Sequence, residues 1–265
     1  MSRNRNKAVV GSRREAAQYY DLQPSPYEGR DIPFYISLVP SPKARILELG
    51  CGTGRVLLPL AAYCSYIHGI DLSEGMISIC QKKIRLQNIP TGRAYVQAAD
   101  ICDFELGQTF DLIVAPFRVF QSLETDEQLT DFFRSLHKHL SEKGTCVLNA
   151  FRPFPGELTH AYWKSRRSDV IQWEKNFGAG SLVCYERVAD VDATKLICYY
   201  VISYRYYQNG ELHDEAVFYH AVRCYEPDEF KDVITKYGFK ILNEWGGYSG
   251  EPYGEGPELV IQFSN

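Results

Sequence analysis

The chain holds eight cysteines (Cys51, Cys64, Cys80, Cys102, Cys146, Cys184, Cys198 and Cys224) but no CxxC pair. In a chain of 265 residues that scatter excludes a disulfide framework or a zinc site and reads as buried free thiols in a reducing compartment. A basic excess is missing too: 29 Lys and Arg stand against 33 Asp and Glu, a net charge of −4. General nucleic-acid binders and binders of anionic membranes carry the opposite balance. No apolar run approaches the roughly 18 residues that span a bilayer, and the N-terminus has no apolar signal region. Internal repeats and low-complexity stretches are also missing. These absences leave a globular, cytoplasmic protein, long enough for one α/β domain with an insertion.

The patterning divides the chain. Residues 1–12 are polar and basic (Arg3, Arg5, Lys7) and read as a flexible tail. Residues 13–156 form an α/β core: Arg45–Leu49, Tyr66–Asp71, Ala94–Gln97, Phe110–Ala115 and Thr145–Phe151 are strands, with helices at Val56–Tyr63 and Gly75–Gln87. Thr125-Asp126-Glu127-Gln128 is a capping box, opening a helix whose apolar stripe is Leu129, Phe132, Phe133, Leu136 and Leu140. Alternation of this kind means a mostly parallel, Rossmann-like sheet with helices on both faces. Residues 157–224 break the pattern with consecutive β segments. Asn209-Gly210 marks a type I′ hairpin, pairing Gln208 with Glu211, Tyr204 with Glu215 and Tyr200 with Tyr219. Residues 225–265 return to the core with Pro227 in a first helical turn and a C-terminal antiparallel edge hairpin. Seven core strands and an antiparallel β insertion after the fifth are expected.

The chemistry concentrates in Glu48-Leu49-Gly50-Cys51-Gly52-Thr53-Gly54-Arg55. A strand ending in three alternating glycines lets backbone pass close to a ligand. The spacing is G-x-G-x-G, not the G-x-G-x-x-G of a pyrophosphate cradle. Asp71 ends the next strand, 21 positions after Gly50, where a carboxylate accepts hydrogen bonds from ribose hydroxyls.

With Gly69-Ile70-Asp71-Leu72-Ser73, Ala99-Asp100-Ile101 and Phe110-Asp111-Leu112-Ile113-Val114, this segment resembles the four ordered motifs of class I S-adenosylmethionine-dependent methyltransferases. The likeness covers residues 15–155 well and 225–263 loosely, and it is nearest to the small-molecule branch, which includes glycine and amino-sugar N-methyltransferases. The resemblance implies S-adenosylmethionine as cofactor, S-adenosylhomocysteine as product and no metal. Glu48, Gly50, Cys51, Gly52 and Gly54 would surround the methionine part, Asp71 the ribose, Leu72 and Met76 the adenine. The Asp100 carboxylate and Ile101 backbone would meet the adenine amino group, and Ala115, Pro116 and Phe117 would face the sulfonium. Arg55 is read as a partner of the cofactor carboxylate or as a surface helix arginine. Tyr19 and Tyr20 are read as cofactor-reaching or as core tyrosines.

Nucleic-acid branches fit poorly. Adenine-amino methyltransferases carry Asn/Asp-Pro-Pro-aromatic where this chain has Ala115-Pro116-Phe117-Arg118, and no cysteine follows a proline as the cytosine-C5 type requires. No acid cluster of the catechol type stands in Phe151–Gly156. The expected acceptor is a small molecule, an amine in preference to a hydroxyl, with Arg118, Gln121, Arg152, Tyr162, Trp163, Arg205 and His220 as acceptor-side candidates. Arginines there suit a carboxylate or phosphate, and His220 suits a general base. DNA and membrane partners are not expected. A cofactor-binding scaffold without turnover and an RNA methyltransferase, hinted at by the basic tail, are the alternatives. The tyrosine-rich insertion is read as a lid or as a homodimer surface.

Overall fold

A computed structural model describes residues 16–24, 26–151 and 166–265 of the chain. A seven-stranded sheet is built from β1 (Arg45–Leu49), β2 (Tyr66–Asp71), β3 (Ala94–Ala98), β4 (Phe110–Ala115), β5 (Leu140–Phe151), β10 (Lys240–Trp245) and β11 (Glu258–Ser264). Its order is β10-β11-β5-β4-β1-β2-β3. The first five strands are parallel, and β11 runs antiparallel between β5 and β10. The helices beside the sheet include α1 (Asp31–Ser37), α2 (Leu57–Leu60), α3 (Glu74–Leu86), α4 (Asp126–His139) and α5 (Pro227–Lys236). No helix among the described residues is long and apolar enough to cross a membrane.

Both faces of the central strands are apolar, as helices on each side require. Leu47, Leu49, Ile113 and Phe263 pack with Phe120, Phe132, Phe133 and Phe230 on one side. Ile46, Leu112, Val114 and Val260 pack with Leu57, Leu60 and Ile77 on the other. The expected capping box is present: Thr125 Oγ1 accepts from the Gln128 N–H at 3.1 Å, and Gln128 returns a bond to the Thr125 N–H at 3.1 Å. A second one, Glu226 with Glu229, starts α5 behind Pro227. The helix expected over 56–63 shrinks to Leu57–Leu60. Seven of the eight thiols are buried and Cys102 is half-buried.

The insertion is a separate four-stranded antiparallel sheet: β6 (Val170–Phe177), β7 (Gly180–Asp192), β8 (Ile197–Gln208) and β9 (Glu211–Arg223). The hairpin turns at Asn209-Gly210 and pairs Gln208 with Glu211, as the sequence implies. Beyond Tyr207–Leu212 the register slips, because Tyr206 pairs with Asp214 and His213 is the extra residue of a β-bulge. The expected pairs are therefore corrected to Tyr204–Ala216 and Tyr200–His220. A bulge inserts one unpaired residue and reverses which side chains share a face. Asp214, Ala216, Phe218 and His220 thus join Tyr206, Tyr204, Ile202 and Tyr200, while Tyr219 turns out and is 52% exposed.

One buried group gives the fold a pH dependence. His68 on β2 is enclosed by Tyr95 and Phe110, with Nε2 unpartnered among the described residues. Burial, helped by nearby His139, lowers its pKa to about 4. A depressed folded-state pKa means that the unfolded chain binds the proton first, so stability present above pH 6.5 is lost as pH falls toward 4. Between pH 6.5 and 4.5 wild type should lose roughly 2 kcal/mol more than His68→Gln. Urea midpoints at the two pH values read this difference, and equal losses would place the strain elsewhere.

Candidate functional site

The chain leaves β1 toward β2 and β3, then returns to the opposite side of β1 as β4. That reversal opens a crevice beyond the carboxyl ends of β1 and β4, the usual ligand position in open α/β sheets. The loop that follows β1 holds Gly50, Gly52 and Gly54 at φ of 67°, 52° and 90°. Two of these glycines are required by packing. A Cβ on Gly50 would lie 2.4 Å from Val119 Cγ2, and one on Gly54 would lie 2.7 Å from Cys80 Sγ. At Gly52 a Cβ meets nothing nearer than Tyr20 Cε1, 3.9 Å away. Gly52 is therefore the position where the loop faces open space.

Asp71 ties this loop to β2. Its Oδ2 accepts the Gly52 N–H at 2.9 Å, and its Oδ1 accepts the Ser73 N–H at 2.8 Å. The second bond sets up Ser73 as N-cap of α3, where its Oγ accepts the Met76 N–H. Leu72 projects outward beside them and Met76 is buried. Asp100 Oδ1 accepts the Cys102 N–H at 2.9 Å, fixing the turn that carries Ile101 after β3. Glu48, on β1, is buried with Oε2 unpartnered among the described residues. Burial raises its carboxyl well above the usual range, with Cys80 adding and Arg55 opposing.

These observations test S-adenosylmethionine against the residues present. The strand-end carboxylate is oriented by backbone, the Gly52 cradle is one a Cβ would fill, and a buried oxygen on Glu48 has no partner among the described residues. An adenosine diol and an α-ammonium group supply donors of the kind these acceptors take. The residues fit the cofactor.

The other candidates divide. Arg55 is neither free toward the loop nor a plain surface arginine. It donates to Asp31 at 3.0 and 2.7 Å and lies 5.7 Å from the Phe117 ring, and Asp31 is fully buried. Tyr19 is drawn away from the crevice: its hydroxyl donates to Asp214, and its ring packs on Phe177 and Tyr204. Tyr20, one residue on, is the tyrosine over the glycine loop. Asp21 then accepts from Thr53 Oγ1 at 2.6 Å and pairs with Lys83 at 2.7 Å. Gln23 donates to the Tyr204 hydroxyl. Residues 19–23 thus strap the insertion to the cofactor loop.

Ala115 and Pro116 are buried. Phe117 and Arg118 follow with φ of 55° and 65°, a conformation that costs a side-chain-bearing residue and clusters at functional sites. This turn sets the Phe117 ring edge-on to Tyr27, 6.2 Å between centroids, and Tyr27 packs on Tyr248 at 4.7 Å. Arg118, expected on the acceptor side, is held as a half-buried clamp on Glu258. Its Nη2 donates to Glu258 at 2.6 Å and its Nε at 3.2 Å, and its N–H donates to Asn149 Oδ1 at 3.0 Å. Asn149 Nδ2 closes the ring by donating to Glu258 at 2.8 Å. Gln121 is likewise structural: it is fully buried, accepting the Phe151 N–H at 2.6 Å and donating to the Arg223 carbonyl at 2.9 Å. Arg205 lies on the outer face of the insertion, held by Glu215 at 2.6 Å and Asp169 at 2.7 Å. His220 is on the inner face beside Tyr200. Arg152, Tyr162 and Trp163 lie outside the described residues.

Sequence reasoning missed Tyr27, Asp31, Asn149, Tyr248 and Glu258. For two of them a signal existed. Asn149 interrupts the apolar run Cys146–Ala150, and Glu258 heads the apolar run Leu259–Ile261. A polar residue in a strand buried on both faces needs a partner.

Residues 46–144 match the family model described as a methyltransferase domain. Over 218 residues the chain is 29% identical to a malonyl-[acyl-carrier protein] O-methyltransferase of Bacillus anthracis, covering 81% of this chain and 70% of that one. It is 25% identical over 205 residues to the dTDP-3-amino-3,4,6-trideoxy-alpha-D-glucopyranose N,N-dimethyltransferase of Streptomyces venezuelae, covering 77% and 79%. The fold is shared with the CcbJ methyltransferase of Streptomyces caelestis at a TM-score of 0.72 and 21% identity, covering 94% of this chain and 95% of that one.

Proposed function

Residues 46–144 being a methyltransferase domain of class I, with S-adenosylmethionine as its cofactor, we propose that this protein methylates a small molecule and prefers an amine to a hydroxyl. The observation that carries the reading is the Asp71–Gly52 pair: a carboxylate oriented at the end of β2 beside the one loop glycine that faces open space. A relative named for an amino sugar and one named for malonyl-[acyl-carrier protein] support a small acceptor group, a sugar amine or a malonyl unit. The cofactor brings an electrophilic methyl group on a sulfonium. Asp71 would hold the ribose hydroxyls, Leu72, Met76, Asp100 and Ile101 the adenine, and Glu48 with the Gly50–Gly54 backbone the methionine end.

The residues past β4 support the amine. Arg55 and Arg118, the two cations flanking Phe117, are each neutralised by a carboxylate that is buried, Asp31 and Glu258. Neither is available to an acidic acceptor, which removes the argument for a carboxylate- or phosphate-bearing substrate. What remains beside Phe117 is aromatic, with Tyr27 and Tyr248, and ring faces attract cationic groups. An amine acceptor needs alignment and the loss of one proton, and holding reactants aligned is a large part of the barrier reduction.

The test is calorimetric. S-adenosylhomocysteine should bind wild type in the micromolar range, about −8 kcal/mol, and Asp71→Ala at least ~10-fold more weakly, because charged hydrogen bonds are lost. Absence of binding to folded wild type would overturn the reading.

A further inference from the structure

Resting on that reading, we propose that Glu186 on β7, diagonal to Tyr200 on the inner face of the insertion with His220 beyond it, binds the acceptor amine in its ammonium form and takes up its proton.

The sheet register sets the three in a row across β7, β8 and β9 on one face. On β7 the inward residues are Leu182, Cys184, Glu186 and Val188, paired across β8 with Tyr206, Tyr204, Ile202 and Tyr200. On β9, because of the His213 bulge, they are Ala216, Phe218, His220 and Val222. Glu186 is thus diagonal to Tyr200, and Tyr200 is directly opposite His220, separations of roughly 7–8 and 5 Å along and across a sheet. The same face divides in chemistry. Its outer half is apolar and closed: Leu182, Cys184, Tyr204, Ala216 and Phe218 pack under Ala16 and Tyr19. Its inner half carries the polar trio and ends where Gln121 bonds the Arg223 carbonyl at 2.9 Å. That bond fastens the base of β9 to the turn that follows Phe117 and Arg118, and Arg118 is near enough to act on the Glu186 carboxyl.

Glu186 is the member with chemistry to spare. Its side chain is 25% exposed, and its one charged contact among the described residues is Arg166 at 3.7 Å, longer than a hydrogen bond. Desolvation raises its pKa, opposed by Arg166 and Arg118. A half-desolvated carboxylate holds an ammonium group more strongly than water does and is a better proton acceptor than an exposed one. The step balances: one N–H bond of the ammonium breaks, its electron pair stays on nitrogen, and an O–H bond forms on Glu186. The neutral amine left behind is the form that can attack.

The probe is benzylammonium, compared with benzyl alcohol of the same shape, each titrated into protein saturated with S-adenosylhomocysteine. Wild type should bind the cation at least ~10-fold more tightly than the alcohol, the scale of a charge-assisted hydrogen bond. Glu186→Gln should erase that preference and leave S-adenosylhomocysteine affinity unchanged. Should Glu186→Gln fail to bind S-adenosylhomocysteine, Glu186→Asp replaces it, and a preference reduced several-fold by the shorter side chain is expected. Equal binding of the two probes by wild type, or an unaltered preference in the variants, would mean that Glu186 serves only Arg166 and would overturn the proposal. Loss of S-adenosylhomocysteine binding by wild type would instead strike the cofactor reading.

Discussion

Glu258→Ala is expected to lower the free energy of unfolding by about 3–5 kcal/mol, measured by urea denaturation at pH 7. Glu258 is fully buried at the head of β11, and it receives both Arg118 bonds and the Asn149 amide. Removing it leaves a guanidinium and an amide without an acceptor in a site shaped around them. The Arg118 side chain is about a third exposed, at 35%, so water can reach part of its charge, and the lower end of the range applies. The double variant Arg118→Met with Glu258→Leu should recover most of the loss, because exchanging a whole buried pair for apolar groups is often neutral. The shortfall should be what Asn149 forfeits. A single-variant loss under about 1 kcal/mol would show that the pair is solvated and that its burial carries no cost.

Gly52→Ala should weaken S-adenosylhomocysteine binding by about 100-fold while the protein stays folded, and Gly50→Ala should do the reverse in kind. Both residues have positive φ, which costs a non-glycine residue about 1–2 kcal/mol. The difference lies in what the added methyl meets. At Gly50 it enters Val119, 2.4 Å from Cγ2, and a β-branched side chain has little freedom to step aside. Overpacking adds about 1–3 kcal/mol there, and the turn bearing Phe117 and Arg118 must shift with it. At Gly52 the methyl is in ordinary contact with Tyr20 at 3.9 Å and otherwise occupies the space assigned to the cofactor. Calorimetry and thermal melting on both variants separate the two effects. Unchanged S-adenosylhomocysteine affinity in Gly52→Ala would mean that the loop is not its seat.

The parts of this molecule that could be read from its sequence are those governed by neighbours along the chain. The glycine loop, the Asp71 position, the Thr125 cap, the hairpin turn at Asn209-Gly210 and the two-sided apolar strands are local patterns with local causes. What escaped depends on partners far away in sequence. Arg118 looked like an acceptor contact because it follows β4, yet its partner Glu258 is 140 positions on. Arg55 meets Asp31, which precedes the first strand. The His213 bulge escaped for another reason. A single extra residue in an alternating run changes no composition, but it exchanges the inner and outer faces of β9 and moves His220 and Asp214 inward. With it, the Glu186 site forms on a face that strict alternation would give to Glu215 and Tyr219.

The strap at residues 19–23 has a thermodynamic consequence. One side of it, through Tyr19 to Asp214 and Gln23 to Tyr204, is fastened to the insertion, and the other, through Asp21 to Thr53 and Tyr20 over Gly52, to the cofactor loop. Two sites that share one tether form a closed cycle, and coupling in such a cycle is reciprocal. An occupant of the loop that gains from Tyr20 settling on it must stiffen the distant hairpin by the same free energy with which that hairpin favours the occupant. Through the strap the insertion would share in the affinity of whatever occupies the loop, and a change in β8 or β9 that frees Tyr19 or Gln23 should be felt in the loop after β1.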